Sequence, residues 1–117
     1  MKMISYILAL VFLLSGGAKL ASLPFEVEAF ARWGYPAGFM YLTGILEVLG
    51  AIGLLIPRVS SLSAFCLAGL MAGAIATHAI HGEWRPLVVA ALIALLAAVH
   101  GWRGRQEIKQ LFTRNLD

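Results

Sequence analysis

Three ionisable residues, Lys19, Glu47 and His78, lie within apolar stretches of the chain. Glu47 lies ten residues into the twenty-residue stretch 37–56, which places it about 15 Å from either end of a helix. A charge at that depth in a membrane costs on the order of 2.5–3.5 kcal/mol. We therefore expect Glu47 to face the protein interior, either in a structural interhelical hydrogen bond or as a contact for a proton, ligand or substrate.

Lys19 and His78 are the candidates to join Glu47. Lys19 ends the first apolar stretch, where its side chain either extends to the membrane interface or pairs with Glu47. His78 lies near the end of the third stretch, as a packing histidine or as a titratable partner. A donor, an acceptor and a titratable ring in one apolar cavity are typical of a small-ligand site. The predicted catalytic roles are proton acceptor for Glu47, counter-ion for Lys19 and second proton donor for His78.

Metal and haem chemistry receive less support from the sequence. His78 and His81, with Glu83 as a third ligand, form a spacing that could share a metal, but we predict no metal site. His100 lies about 21 Å along the fourth stretch, which is the wrong depth to share a haem with His78. The single cysteine, Cys66, cannot build an intrachain disulfide or a cysteine-ligated cluster. We expect neither haem nor an iron–sulfur cluster.

The composition identifies the class of protein that positions these residues. Of 117 residues, 61% are apolar and only 13% are charged, against about 25% charged in ordinary soluble domains. So few charges cannot cover the surface of a soluble monomer, and disorder requires low hydrophobicity. The net charge is +3, but the basic residues are spread along the chain. This pattern favours a membrane surface over nucleic acid as the partner.

Four apolar stretches are close to the roughly 20 residues that a membrane-spanning helix needs. They cover residues 3–20, 37–56, 61–80 and 86–100, and prolines separate them. The links after the second and third stretches are short, so neighbouring helices must be antiparallel. We predict a single all-α domain over residues 1–117, an integral membrane up-down four-helix bundle. The alternative for residues 3–20 is a secretory signal.

The segments outside these stretches predict an orientation. Residues 22–36 contain a short helix starting at Pro24 and an aromatic cluster, and form either an interfacial segment or a lid over a pocket. The tail, residues 102–117, is predicted to anchor to the cytoplasmic leaflet. Six Lys and Arg residues lie on the side of the two termini and three on the other, so both termini are expected in the cytoplasm.

Small residues recur on the third stretch, including Ala64, Ala68, Ala72 and Ala76 beside the pair Gly69 and Gly73. Small residues let membrane helices approach closely. The stripe therefore predicts tight packing within the bundle or, alternatively, a homodimer face.

An ordered set of motifs spans nearly the whole chain. The motifs are Gly16-Gly17-Ala18-Lys19; Phe30, Trp33, Gly34, Tyr35 and Pro36; Gly44-Ile45-Leu46-Glu47 followed by Gly50, Gly53, Leu54, Leu55 and Pro57; and Met71, Gly73, Ala74 and His78. This set resembles the DoxX family, specifically its short DoxX-like branch. The resemblance implies a four-helix protein of the bacterial inner membrane in which Lys19, Glu47, Met71 and His78 face inward. Named members of that family are linked to quinone-dependent oxidation of reduced sulfur and to membrane assemblies of oxidative-stress enzymes.

The predicted function is binding of a small lipophilic molecule, with quinone as the candidate cofactor, by a redox-associated subunit or small membrane enzyme. Predicted ligand contacts are Lys19, Trp33, Tyr35, Gly44, Glu47, Met71, Ala74 and His78. Expected partners are membrane lipid, the ligand, and either a second copy or an oxidoreductase subunit. The alternatives are a dimeric proton-coupled exporter of lipophilic compounds and a non-catalytic membrane scaffold. Lys19 argues against the exporter, because its charge would neutralise or repel a lipophilic cation.

Overall fold

The computed structural model describes residues 2–116, with the side chains of residues 2, 37 and 114–116 left out. Met1 and Asp117, which the predicted domain includes, lie outside the described residues. The described chain forms helices α1 (Lys2–Leu20), α2 (Pro24–Trp33), α3 (Ala37–Leu54), α4 (Ser60–Ile80), α5 (Trp84–Arg103) and α6 (Arg105–Leu116). It contains no strand over residues 2–116, so the all-helical prediction is confirmed for this range.

Three of the described helices are long and apolar enough to cross a membrane. They are Met3–Leu20, Ser60–Ile80 and Trp84–Arg103, and Gly38–Leu54 is apolar but shorter. The second predicted stretch was expected to reach Ile56, but α3 ends at Leu54 because Pro57 disfavours helical geometry at the residue before it. Helix α5 begins at Trp84 rather than at Pro86, since proline is tolerated throughout the first turn.

Helix α1 packs closely on α3. A methyl group added at Gly16 would lie 2.7 Å from the carbonyl oxygen of Gly44, so the two backbones almost touch at this crossing. Near the other end of the pair, the Ser5 hydroxyl donates to the carbonyl oxygen of Leu54 at 2.6 Å. The start of α1 therefore lies beside the end of α3, and the two helices are antiparallel.

The core fills the half of the molecule that contains the start of α1 and the end of α5. Its members include Leu8, Phe12, Ala64, Leu67 and Ala97, each at most 2% exposed. Further along α4 the predicted small-residue stripe leaves the core. Ala72 and Ala76 are exposed, and an added methyl at Gly69 or Gly73 would meet no atom within 4 Å. Internal packing is therefore the wrong interpretation for this part of the stripe, and a homodimer face stays a prediction.

Helix α2 crosses the opposite end of the long helices. Pro24 occupies its first turn, and the chain leaves it through Gly34 in the left-handed conformation, φ 82°, which favours glycine. The predicted start of a short helix at Pro24 is confirmed. Helix α2 contacts both α1 and α3, so it packs on the ends of these two helices.

Candidate functional site

A cavity of about 630 Å³ opens beneath α2, between the second halves of α1 and α4 and the first halves of α3 and α5. We call it the α2 cavity. Its aromatic wall consists of Phe25, Phe30, Trp33, Tyr35 and Phe39, and its polar groups come from Ser15, Lys19, Glu26, Thr43, Glu47, Thr77 and His78. A mostly apolar cavity of this size with a few polar groups is typical of a small-molecule site.

The polar groups at one end of the α2 cavity surround the Lys19 ammonium. Its Nζ atom lies 2.8 Å from Glu47 Oε1 and 3.1 Å from Glu26 Oε2, and it donates a hydrogen bond of 2.9 Å to Ser15 Oγ. One ammonium is thus shared by two carboxylates on two different helices. With all three groups ionised, the cluster carries a formal charge of −1.

Glu47 is the least satisfied member of this cluster. It is 1% exposed, and neither of its carboxylate oxygens accepts a hydrogen bond from the described residues. The 2.8 Å approach of Lys19 is an ion pair by distance but lacks hydrogen-bond alignment. Buried polar atoms nearly always have a partner. Oε1 therefore contacts the Lys19 ammonium as an ion pair, and Oε2 has no donor among the described residues.

A second polar group, centred on Glu83, lies at the rim of the α2 cavity. Its Oε1 atom is 2.9 Å from His78 Nδ1 and accepts a 3.0 Å hydrogen bond from Trp33 Nε1, while Oε2 accepts from the Arg32 guanidinium at 3.0 Å. The pKa of Glu83 is lowered, chiefly by the hydrogen bond from His78 and further by Trp33 and Arg32. Glu83 thus ties the end of α2 to the link between α4 and α5.

Tyr35 and Thr77 close the wall between these two groups. The Tyr35 hydroxyl lies 2.8 Å from Thr77 Oγ1, and Thr77 Oγ1 also donates to the carbonyl oxygen of Gly73 at 3.0 Å. Because the single Thr77 proton is used on Gly73, the Tyr35 hydroxyl is the donor to Thr77. This pair joins the segment after α2 to α4.

The sequence profile of the DoxX-like family matches residues 3–100. The chain belongs to the DoxX-like family. One relative, "Uncharacterized protein YdgD" of Bacillus subtilis (strain 168), is 35% identical over 95 residues, which cover 76% of this chain and 83% of YdgD. No solved structure matches the chain. The motifs that predicted the DoxX-like family therefore led to the right family.

Seven of the eight predicted ligand contacts of this DoxX-like protein line the α2 cavity. They are Lys19, Trp33, Tyr35, Glu47, Met71, Ala74 and His78. Gly44 does not line it, because it lies in the α1–α3 crossing, where an added methyl would be 3.0 Å from Lys19 Cβ. Gly44 as a ligand contact stays a prediction. His78 lines the cavity, but its partner is Glu83 rather than Glu47.

Two carboxylates of the site, Glu26 and Glu83, were not predicted as members of it. Glu26 follows Pro24 in the first turn of α2, and the turn between α1 and α2 brings it back to Lys19. The sequence signal that could have identified Glu26 was a glutamate in the first turn of a short helix that begins a few residues after Lys19. Among the described residues no three His, Cys, Asp or Glu side chains gather as a metal site; His81 Nδ1 contacts the carbonyl oxygen of Thr77 instead.

Proposed function

We propose that this DoxX-like protein binds a small lipophilic molecule bearing a hydroxyl donor, such as a quinol, in the α2 cavity. It would do so as a redox-associated subunit or small enzyme of the bacterial inner membrane. One observation carries the proposal: Glu47 lines a 630 Å³ cavity, and the Oε2 atom of its buried carboxylate has no hydrogen-bond donor among the described residues. A ligand hydroxyl would supply the missing donor.

The family and the apolar helices make this a membrane protein, and we propose four spans. Helix α3 has 18 residues, a length of about 27 Å at 1.5 Å per residue. That is a few ångströms short of a typical hydrocarbon core, a mismatch that costs only fractions of a kcal/mol per Å. If α3 spans the membrane together with the three longer helices, the up-down bundle has four spans and both termini lie on the same side. The excess of Lys and Arg on that side favours a cytoplasmic location for both termini.

The walls of the α2 cavity suit a flat aromatic ligand. Phe30 and Trp33 lie with ring centroids 5.2 Å apart and tilted by 58°, so an aromatic ligand can make edge and face contacts with them. A quinol donates from its hydroxyls, whereas the oxidised quinone only accepts. Glu47 therefore favours the reduced form, and a ligand hydroxyl hydrogen-bonded to it can pass its proton to the carboxylate.

Co-purification tests this proposal. The protein is extracted with native lipid, and bound small molecules are identified by mass spectrometry in wild type, Glu47→Gln and Glu28→Gln. Glu28 is an exposed glutamate on α2, so its variant removes the same charge away from the cavity. We expect an aromatic hydroxyl compound in wild type and Glu28→Gln and its loss from folded Glu47→Gln. Equal retention in all three proteins would contradict the proposal.

A second candidate is a proton-coupled exporter of lipophilic cations, which one observation favours. Lys19 would oppose such a substrate if it neutralised Glu47, but Glu26 shares Lys19 and leaves the cluster with a net negative charge. Tetraphenylphosphonium binding with release of a proton would support the exporter. If neither this cation nor a quinol binds, the cluster fixes helix packing and the scaffold function stands.

A further inference from the structure

A second pocket lies at the opposite end of the long helices, next to α6, and we call it the α6 pocket. Its volume is about 260 Å³, and its lining includes Ser5, Leu54, Ser60, His100, Gly104 and Glu107. A water molecule occupies roughly 30 Å³ in the liquid, and pockets for drug-sized ligands start at roughly 300 Å³. The α6 pocket therefore has room for a small polar group.

The hydrogen bonds around Ser60 determine which nitrogen of His100 carries its proton. Ser60 Oγ donates to the carbonyl oxygen of Leu54 at 2.8 Å, which uses its only proton. Ser60 Oγ also lies 2.8 Å from His100 Nε2, so the imidazole nitrogen must donate in this contact. In neutral His100 the proton is therefore on Nε2, and Nδ1 is a hydrogen-bond acceptor.

The Nδ1 acceptor of His100 has no partner among the described residues. His100 is about nine-tenths buried, and no described residue hydrogen-bonds to its Nδ1 atom. The side chain is part of the wall of the α6 pocket. A group bound in this pocket would therefore need a donor for Nδ1.

Glu107 of α6 adds a negative charge to the same wall. Its Oε1 atom accepts a 3.2 Å hydrogen bond from the backbone N–H of Ser61, at the start of α4, where a carboxylate is favoured. The α6 pocket thus combines a carboxylate with an unpartnered acceptor. A primary ammonium matches both, because it carries a positive charge and three N–H donors.

The side chain of Arg58, which could bind a phosphate group, lies beside the α6 pocket. A neighbouring cleft of about 300 Å³ shares Pro57 and Glu107 with the α6 pocket and adds Arg58. Arginine binds phosphate oxygens with paired hydrogen bonds. Exposed apolar side chains, Tyr6 and Leu55, also border the α6 pocket, where the acyl chains of a lipid can pack.

We propose that the α6 pocket binds the phosphoethanolamine headgroup of an aminophospholipid. The ammonium lies between His100 Nδ1 and Glu107, and the phosphate faces Arg58. This site is separate from the α2 cavity and does not depend on the function proposed for it.

Lipids that differ only at the ammonium test the assignment. The full-length protein, delipidated in detergent, is titrated with dioleoyl-phosphatidylethanolamine or dioleoyl-phosphatidylcholine, and bound lipid is counted by native mass spectrometry. Choline keeps the charge, the phosphate and the acyl chains but has no N–H donor. We expect about tenfold tighter binding of the ethanolamine lipid, as loss of charged hydrogen bonds implies.

Two variants connect this preference to the pocket. Glu107→Gln and His100→Phe should each reduce the preference to about twofold or less, following the loss of one charged or one neutral contact, and Glu28→Gln should keep it. Equal binding of the two lipids by wild type, or an unchanged preference in folded Glu107→Gln, would overturn the proposal. Soluble O-phosphoethanolamine should displace the lipid only at a concentration at least about tenfold above that of the lipid, because it lacks the acyl-chain contacts; displacement at equal concentration would assign the headgroup site to the free compound.

Discussion

Lys19 balances two carboxylates in a place where water has little access. Its side chain is 11% exposed and that of Glu47 is 1% exposed, so neither charge is well solvated. Removing one partner of a buried ion pair leaves the other charge uncompensated, which is more costly than replacing the whole pair. The contribution of Lys19 to stability should therefore depend on whether Glu47 is charged.

A double-mutant cycle measures this dependence. We expect Lys19→Met to lower the free energy of unfolding by about 3–5 kcal/mol, because it leaves Glu47 buried without a counter-ion. The same substitution in a Glu47→Gln background should cost less than half as much. Detergent-induced unfolding followed by circular dichroism gives the four values. Additive costs would show that Lys19 does not act through Glu47.

The membership of Lys19 and Glu47 in one site was predictable because the depth of each in its apolar stretch follows from residue counting. Glu83 was not predictable as the centre of a group, because its partners Arg32 and Trp33 lie about fifty positions earlier. Only the docking of α2 over the end of α4 brings them together. Gly44 lies in the α1–α3 crossing rather than in the cavity wall, and the sequence could not separate these two positions, because a glycine near Glu47 serves equally well for packing and for ligand access.

At the scale of elements, the α1–α3 contact depends on the absence of a side chain at Gly16, which faces Gly44. An added methyl at Gly16 would lie 2.7 Å from the Gly44 carbonyl oxygen and 2.8 Å from Val48 Cγ2, whereas one at Gly17 would meet nothing within 4 Å. The two glycines are adjacent on the same helix. Alanine substitutions at Gly16 and Gly17 therefore change helix propensity in the same way, and only the one at Gly16 changes the packing of α1 on α3.

Gly16→Ala and Gly17→Ala form a matched pair. Gly16→Ala should destabilise the protein by about 1–3 kcal/mol through overpacking. Gly17→Ala should leave stability unchanged or raise it by up to about 1 kcal/mol, since alanine favours helix. Unfolding in mixed micelles measures both. Equal effects of the two substitutions would contradict the close approach of α1 and α3.

Helix α2 is tied down at both ends, by Glu26 to Lys19 and by Arg32 and Trp33 to Glu83. The hydrogen bond from His78 is the main reason that the pKa of Glu83 lies below the usual value of 4.5. A carboxylate whose pKa is lowered by folding contributes stability above its usual pKa and loses it as pH falls through the lower folded value. The hydrogen bonds that join Arg32 and Trp33 of α2 to Glu83 should therefore persist through neutral and mildly acidic pH.

Comparison of wild type with Glu83→Gln across pH tests this tie. We expect wild type to be more stable than the variant from about pH 8 to about pH 5, and the difference to disappear below that range as the Glu83 carboxylate is protonated. Thermal unfolding at each pH gives the difference. If it has already vanished near neutral pH, the tie of α2 to Glu83 is wrong.

At the scale of the whole molecule, the two ends of the long helices are built differently. One end carries the α2 cavity with its buried charges, and the other carries α6 with the basic tail. The core around Phe12 and Leu67 separates them. The apolar composition predicted a membrane protein, but it could not predict this division, which depends on how the helix ends pair.

Labelling of single cysteines tests the proposed orientation. In a Cys66→Ser background, cysteine is introduced by Gln110→Cys in α6 or by Glu28→Cys in α2. With four spans and cytoplasmic termini, an impermeant thiol reagent added outside spheroplasts should label position 28 but not position 110. Labelling of both positions from outside would contradict an even number of spans, and labelling of position 110 alone would reverse the orientation.

Binding of a quinol at Glu47 is the central claim, and Trp33 in the cavity wall provides a direct signal for it. In a Trp84→Phe/Trp102→Phe background, fluorescence quenching is titrated with a short-chain quinol and with its oxidised quinone. We predict that the quinol binds about tenfold more tightly than the quinone, as a charged hydrogen bond implies, and that Glu47→Gln removes this preference while Glu28→Gln keeps it. Equal affinity for the two forms, or a preference that survives Glu47→Gln, would contradict the claim.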